Sequence, residues 1–105
     1  MYLNKIKVKN LNTNYNVVIG KNILNILPRE IRNLCPKTKK IGLVLDKKIP
    51  KFFKTKLKIL LKAYELHIFE FQSNEKLKSF KNVDELTNKC LNKNFNRSDL
   101  IIAVG

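Results

Sequence analysis

The sequence has little or none of several features that define particular protein classes. Its two cysteines, Cys35 and Cys90, are too few for a disulfide framework and are not spaced like metal ligands. The single histidine, His67, makes neither a catalytic triad nor a metal site by itself. No apolar run approaches the roughly 18 residues of a membrane span, and no signal peptide pattern follows Met1. The sequence therefore predicts a cytoplasmic protein without a membrane partner.

Acidic residues are also scarce, with 8 Asp and Glu against 22 Lys and Arg and a net charge of +14. Such a charge can attract nucleic acid by releasing counterions from phosphates. The lysines are spread along the whole chain, however, and Lys, Asn and Ile dominate its composition, as in proteins of AT-rich genomes. We therefore expect no specific nucleic-acid partner. A basic, non-enzymatic nucleic-acid-binding module stays as an alternative.

The first third of the chain changes from a strand pattern to a helix pattern. Residues 2–9 and 15–20 alternate in polarity around the turn-rich segment 10–14, which predicts an antiparallel β-hairpin. From Ile23 to Leu34 the apolar residues follow a helical period, and Pro28 indicates that a second short helix restarts there.

The remainder alternates between apolar strands and amphipathic helices. Segments 41–46, 66–71 and 99–105 are predicted strands, and the last is apolar enough to be buried on both faces. Two helices separate them, the second opened by a capping box at 82–85. We expect this helix to bury Val83, Leu86, Thr87, Cys90 and Leu91, and the preceding one to bury Phe53, Leu57, Leu60, Leu61 and Tyr64.

Strands alternating with helices across short links predict a parallel sheet with right-handed crossovers. The expected fold is one α/β domain over residues 1–105, with a Rossmann-like parallel sheet preceded by an N-terminal β-hairpin and incomplete at its C-terminus. Because no helix follows the last strand, we also expect part of one sheet face to be exposed. His67 and Cys90 are expected to be structural residues.

Three predicted strand ends meet at one edge of this sheet, at Asp46, Phe71 and Gly105. A carboxylate there can accept hydrogen bonds from ribose hydroxyls, although an aspartate after a strand also caps turns. Glu75 and Lys78 follow in a polar loop, where an exposed ion pair is the alternative interpretation. Gly105 could admit a phosphate close to the backbone or simply end the strand.

The order of these pieces resembles the N-terminal domain of 3-dehydroquinate synthase. The motifs that carry the resemblance are Asn74-Glu75-Lys76-Leu77-Lys78-Ser79 and Arg97-Ser-Asp-Leu-Ile-Ile-Ala-Val-Gly105. It implies a shikimate-pathway enzyme that converts a phosphorylated seven-carbon keto-acid into 3-dehydroquinate and phosphate. It also implies NAD as a recycled oxidant and a divalent metal, zinc or cobalt.

The resemblance assigns roles to residues of this chain. Asp46 and Glu75 would hold the adenosine ribose hydroxyls, Lys78 would assist at the cofactor, and Gly105 would begin the pyrophosphate loop. The resemblance implies no catalytic residue and no metal ligand within 1–105, since the family's metal ligands lie in a helical C-terminal domain. We therefore expect no turnover from these residues alone and a homodimer at full length.

Two positions depart from the family pattern. Asn74 replaces a usual glycine, and Lys48 stands where a smaller polar residue is common. Another sugar-phosphate cyclase or a polyol dehydrogenase of the same superfamily is the alternative enzyme.

Overall fold

The computed structural model describes residues 3–9, 14–71 and 80–105. No helix among these residues is long and apolar enough to cross a membrane. In chain order the elements are β1 (Leu3–Lys9), β2 (Asn14–Gly20), a 3₁₀ helix (Ile23–Ile26), α1 (Leu27–Leu34), β3 (Lys40–Asp46), α2 (Lys51–Leu60), β4 (Glu65–Phe71), α3 (Phe80–Asn92) and β5 (Leu100–Val104).

The first two strands form the predicted antiparallel hairpin. Ile6 lies opposite Val17 and Val8 opposite Tyr15. The predicted turn falls largely on residues 10–13, which lie outside the described residues. Since side chains alternate between the two faces of a strand, this register brings Ile6, Val8, Tyr15, Val17 and Ile19 onto one face.

The other three strands form a parallel sheet in the order β4-β3-β5, as the alternation of strands and helices predicted. In its register, Asp46 lies opposite Phe71 and Leu45 opposite Val104. The three strands therefore end level with one another, and the predicted common edge is confirmed.

One face of the parallel sheet carries the hydrophobic core. Ile41, Leu43 and Leu45 of β3 are almost completely buried. Helix α1 begins one residue before Pro28, as predicted. Helix α1 contributes Ile31 to this core. Helix α2 contributes Leu57, and Leu61 directly after α2 also belongs to the core. Leu57 and Leu61 are the residues of the predicted stripe that are fully buried. Phe53 was expected in the same stripe, but it is exposed and stacks edge-to-face against Phe52 at 5.1 Å.

The opposite face is only partly covered, so the prediction that the last strand is buried on both faces is wrong. Leu100, Ile102 and Val104 are half-buried, whereas Ile101 is 45% exposed and Ala103 is exposed. This pattern confirms the expectation of an exposed sheet face. Near β4 the face is better covered, because Phe95 approaches Phe69 with ring centroids 6.5 Å apart.

Helix α3 differs from its prediction in two respects. It begins at Phe80, two residues before Asn82, so the capping box predicted at 82–85 is wrong. Leu86 and Cys90 are half-buried as expected, but Thr87 and Leu91 are exposed. The spacing of the apolar residues predicted the helix correctly. It could not predict how much of the helix surface would be covered by other elements. The side chain of Val83 lies outside the described residues.

Candidate functional site

The candidate site is the carboxyl edge of the parallel sheet. Asp46 is the last residue of β3 and lies beside Phe71, the last residue of β4. Gly105 directly follows β5, whose last residue pairs with Leu45. Glu75 and Lys78 belong to the segment 72–79 that follows β4, and they lie outside the described residues. The structure therefore brings Asp46 and Gly105 to one edge and leaves the other two predicted residues untested.

A tight turn holds Asp46 in place. The backbone amide of Lys48 donates to Asp46 Oδ1 at 2.9 Å, and that of Ile49 donates to the carbonyl oxygen of Asp46 at 3.1 Å. The amide of Lys47 donates to the carbonyl of Phe71 at 2.9 Å, which ties the turn to β4. Asp46 thus caps a turn, as one interpretation of the sequence predicted. A carboxylate offers about four acceptor positions, so capping is compatible with binding a hydroxyl.

A small cleft of about 130 Å³ opens beside this turn. Pockets that enclose a drug-sized ligand usually measure roughly 300–1,000 Å³. This cleft can therefore surround only part of a dinucleotide. Backbone-turn residues and side chains of α2 and β4 line the cleft: Leu45, Asp46, Lys47, Ile49, Lys51, Lys54 and Glu70.

An ion pair between Lys54 and Glu70 crosses one side of the cleft. The hydrogen bond from Lys54, and then its charge, lower the pKa of the Glu70 carboxyl. Sequence reasoning missed this pair. The signal was available, because a lysine in the first turn of a crossover helix and a glutamate near the end of the next strand both lie toward the carboxyl edge. Both side chains are partly exposed, so the pair adds little to the stability of the fold.

Gly105 has no crowded surroundings in this structure. A Cβ atom built on it would meet no heavy atom within 4 Å, whereas the same atom on Gly42 would come within 2.7 Å of Ile101 Cδ1. Contacts with the described residues therefore do not require glycine at 105.

His67 and Glu65 form a structural pair at the amino end of β4. His67 Nε2 lies 2.8 Å from Glu65 Oε2, and the imidazole packs edge-to-face on Phe95 at 5.4 Å. The hydrogen bond with His67 lowers the pKa of Glu65. Among the described residues, no three His, Cys, Asp or Glu side chains come together as a metal site. That part of the chain offers no fit for a divalent metal.

Asp99 is a further residue whose role sequence reasoning missed, and it anchors the edge opposite the candidate site. Its carboxylate accepts hydrogen bonds from the backbone amides of Lys40 and Asn96, each at 2.9 Å. Burial raises the pKa of Asp99, but these backbone hydrogen bonds outweigh it and bring the pKa below the usual value of 3.8. Nearby, the Thr38 hydroxyl donates to the carbonyl of Ser98 at 2.8 Å. These bonds fix the start of β5 beside β3.

Solved structures identify the class of fold. A crystal structure of 2-deoxy-scyllo-inosose synthase complexed with carbaglucose-6-phosphate, NAD+ and Co2+ matches with a TM-score of 0.82 and 20% identity. The match covers 97% of this chain and 28% of that one. A second structure of 2-deoxy-scyllo-inosose synthase matches with a TM-score of 0.75 and 18% identity. The chain therefore has the α/β fold of the dehydroquinate-synthase-like type.

Sequence comparison gives the particular resemblance. The chain is 38% identical to 3-dehydroquinate synthase of Pelagibacter ubique (strain HTCC1062) and 32% identical to that of Prochlorococcus marinus subsp. pastoris, in both cases over its whole length. It is 29% identical to the Clostridium beijerinckii enzyme over 87% of its length. No protein-family model matches the chain. The resemblance to 3-dehydroquinate synthases is confirmed, and the chain spans 26–30% of the length of these relatives.

Proposed function

We propose that this chain is the N-terminal, NAD-binding part of a 3-dehydroquinate synthase. The observation that carries the proposal is the level carboxyl edge of β3, β4 and β5, with Asp46 at the end of the central strand. In open α/β sheets, ligands bind in the crevice beyond the carboxyl ends of the strands. Similarity to 3-dehydroquinate synthases over the whole chain supports the same assignment.

In this proposal Asp46 accepts hydrogen bonds from hydroxyls of the adenosine ribose. Its turn is tied to β4, so the carboxylate meets the ribose in a preorganised position. Glu75 would accept from the same ribose, Lys78 would assist at the cofactor, and Gly105 would begin the backbone that approaches the pyrophosphate. When bound, NAD supplies a hydride acceptor that is regenerated within the reaction.

The proposed reaction of the whole enzyme converts a phosphorylated seven-carbon keto-acid into 3-dehydroquinate and phosphate. Residues outside this span would bind a divalent metal, zinc or cobalt, and would supply the catalytic side chains. We accordingly propose that residues 1–105 have no turnover alone, and that the whole enzyme is a cytoplasmic homodimer. A different sugar-phosphate cyclase or a polyol dehydrogenase would share this cofactor edge and differ in the metal and substrate residues.

The proposal includes no specific nucleic-acid partner. Several lysines are engaged within the chain, which uses part of the positive charge structurally. Lys40 Nζ donates to the carbonyl oxygens of Lys93 and Asn94, at 2.7 and 3.0 Å. Lys89 Nζ lies 5.3 Å from the ring centroid of Phe71 and 3.6 Å from a carboxylate oxygen of Glu85.

Titration of the purified chain with NAD, followed by ligand-observed NMR, tests the proposal. We expect weak binding to the wild-type chain and at least a tenfold loss in Asp46→Ala, because a hydrogen bond to a charged group contributes about 1.5–3 kcal/mol. Asp46→Asn keeps a side-chain oxygen that can accept the hydrogen bond from the Lys48 amide but removes the negative charge. Comparing it with Asp46→Ala separates the effect of losing the charge from the effect of losing the turn.

The matched control is Asp84→Ala, which removes an exposed carboxylate from α3. It should bind NAD like the wild-type chain. Absence of NAD binding to the wild-type chain, or equal binding by Asp46→Ala and Asp84→Ala, would contradict the proposed cofactor edge.

A further inference from the structure

Asp46 lies in a strongly basic stretch of the chain. Lys47 and Lys48 follow it directly, and Lys51 is the first residue of α2. Lys47 and Lys51 line the same cleft as Asp46, and the backbone amide of Lys48 donates to Asp46 Oδ1 at 2.9 Å. All three lysines are exposed, whereas Asp46 is half-buried. One carboxylate therefore lies among several solvent-facing cations.

The second acid of the cleft is already paired with a lysine. Glu70 forms an ion pair with Lys54, and the hydrogen bond from Lys54, followed by its charge, lowers the pKa of Glu70. Glu70 is therefore ionised at neutral pH, and its charge is compensated within the cleft wall. Among the residues that line the cleft, Asp46, Lys47 and Lys51 then decide how a charged group is received there.

The charge at this position matters because NAD and NADP differ at a single ribose oxygen. NADP carries a phosphate group on the 2′-oxygen of its adenosine ribose, where NAD has a hydroxyl. In dinucleotide-binding sheets a carboxylate accepts a hydrogen bond from that hydroxyl, whereas a nearby basic residue accommodates the phosphate. This chain has both kinds of residue side by side, as Asp46 and Lys47. Their charges favour opposite cofactors.

We propose that the Asp46 carboxylate selects NAD against NADP, and that Lys47 and Lys51 would bind the 2′-phosphate if this negative charge were absent. The inference rests on the proposed cofactor edge and concerns which of the two dinucleotides that edge accepts.

The turn explains why the carboxylate prevails over the lysines. The Lys48 amide holds Asp46 Oδ1, and the Lys47 amide donates to the carbonyl of Phe71 at 2.9 Å, so backbone hydrogen bonds fix the carboxylate at the strand end. A phosphate on the 2′-oxygen would be brought against this fixed charge, and like charges in contact at a binding site reject the wrong ligand. An exposed lysine is screened by solvent and loses side-chain freedom when it pairs, so it offsets only part of the repulsion.

Titration of the wild-type chain and of Asp46→Asn with NAD and with NADP, followed by ligand-observed NMR, tests this selection. We expect the wild-type chain to bind NAD at least tenfold more tightly than NADP, and Asp46→Asn to reduce that preference at least tenfold because NADP then binds more tightly. Asp46→Ser, whose hydroxyl can also hold the turn, gives the same test if Asp46→Asn does not fold.

The outcomes separate this inference from the proposed function. No binding of NAD to the wild-type chain would contradict the proposed cofactor edge and, with it, this inference. A wild-type chain that binds NAD, together with an unchanged preference in Asp46→Asn and Asp46→Ser, would overturn the selection by Asp46 and leave the cofactor edge intact. Equal binding of NAD and NADP by the wild-type chain would overturn the selection as well.

A pair of lysine variants tests the phosphate partners. In the Asp46→Asn background, Lys47→Gln together with Lys51→Gln should reverse the gain in NADP binding. The control, Lys37→Gln together with Lys62→Gln, removes two exposed charges at the opposite edge, before β3 and after α2, and should keep the gain. The gain should also shrink as salt rises from roughly 0.05 to 0.5 M. Equal losses with the two pairs would show that the net charge of +14 attracts the phosphate, and would overturn the role of Lys47 and Lys51.

Discussion

The two faces of the parallel sheet have the same strands but very different surroundings. Toward α1 and α2, the odd-numbered residues of β3 (Ile41, Leu43 and Leu45) are at most 2% exposed. On the other side, Gly42 makes room for Phe69, Phe95 and Ile101, and Ile101 is 45% exposed. The apolar content of the strands is therefore not matched by equal burial. Burial depends on which elements cover a face, and α3 and Phe95 cover the second face mainly near β4.

This difference indicates where the stability of the chain resides. Apolar burial contributes roughly 25 cal/mol per Å², so the covered face supplies most of the hydrophobic stabilisation. The open face contributes less and leaves apolar surface available for contact. The candidate site lies on the carboxyl edge between these faces, where Asp46 is held by backbone hydrogen bonds from its own turn.

Leu43→Ala tests the covered face and should have the largest effect. Truncating a fully buried leucine removes apolar contacts and leaves a cavity, which costs about 2–5 kcal/mol of unfolding free energy. Urea denaturation followed by circular dichroism measures the loss. Ile101→Ala, on the open face, is the matched control and should cost less than about 1 kcal/mol. Similar losses for the two variants would show that the faces do not differ in stability.

Asp99→Asn tests the anchor that holds β5 beside β3 and therefore serves both faces. It should cost about 1–2 kcal/mol at neutral pH, because an amide replaces a carboxylate that accepts from two backbone amides. The pKa of Asp99 is lowered in the folded state. Its contribution is therefore present above the unfolded pKa near 3.8 and is lost as pH falls through the folded pKa.

Urea midpoints measured between neutral pH and about pH 3 check this prediction. The wild-type chain should lose more stability on acidification than Asp99→Asn does. Asp84→Asn, an exposed control, should follow the wild-type curve. Identical acid sensitivity of all three proteins would rule out Asp99 as the anchor.

Gly42→Ala examines the packing of the open face, and we expect it to cost less than Leu43→Ala or Asp99→Asn. A methyl group there would lie 2.7 Å from Ile101 Cδ1 and 3.1 Å from Phe69 Cε2. The partly exposed Ile101 can move aside, so we expect a loss of about 1 kcal/mol in unfolding free energy. Gly105→Ala, where the new atom meets nothing within 4 Å, should leave stability unchanged. A neutral Gly42→Ala would mean that this face is looser than its contacts indicate.

Particular residues show how far the sequence could be interpreted. Proline at 28 marked the start of α1, and the aspartate at 46 marked the end of β3, because each acts through its own backbone or the adjacent turn. The capping box at 82–85 failed, because a short polar motif does not set a helix start that lies two residues earlier. Leu91 lies on a predicted apolar face, yet it is 63% exposed, since periodicity does not reveal whether another layer is present.

The order of strands and helices, the hairpin, the parallel sheet and the position of Asp46 at a strand end could all be predicted from the sequence. These features follow from local spacing and from the short links that allow one crossover geometry. The folded chain was needed to show which sheet face is covered, that Glu70 pairs with Lys54, and that Asp99 joins β3 to β5. Those contacts link residues distant in the chain, and their partners are chosen by the packing of whole elements.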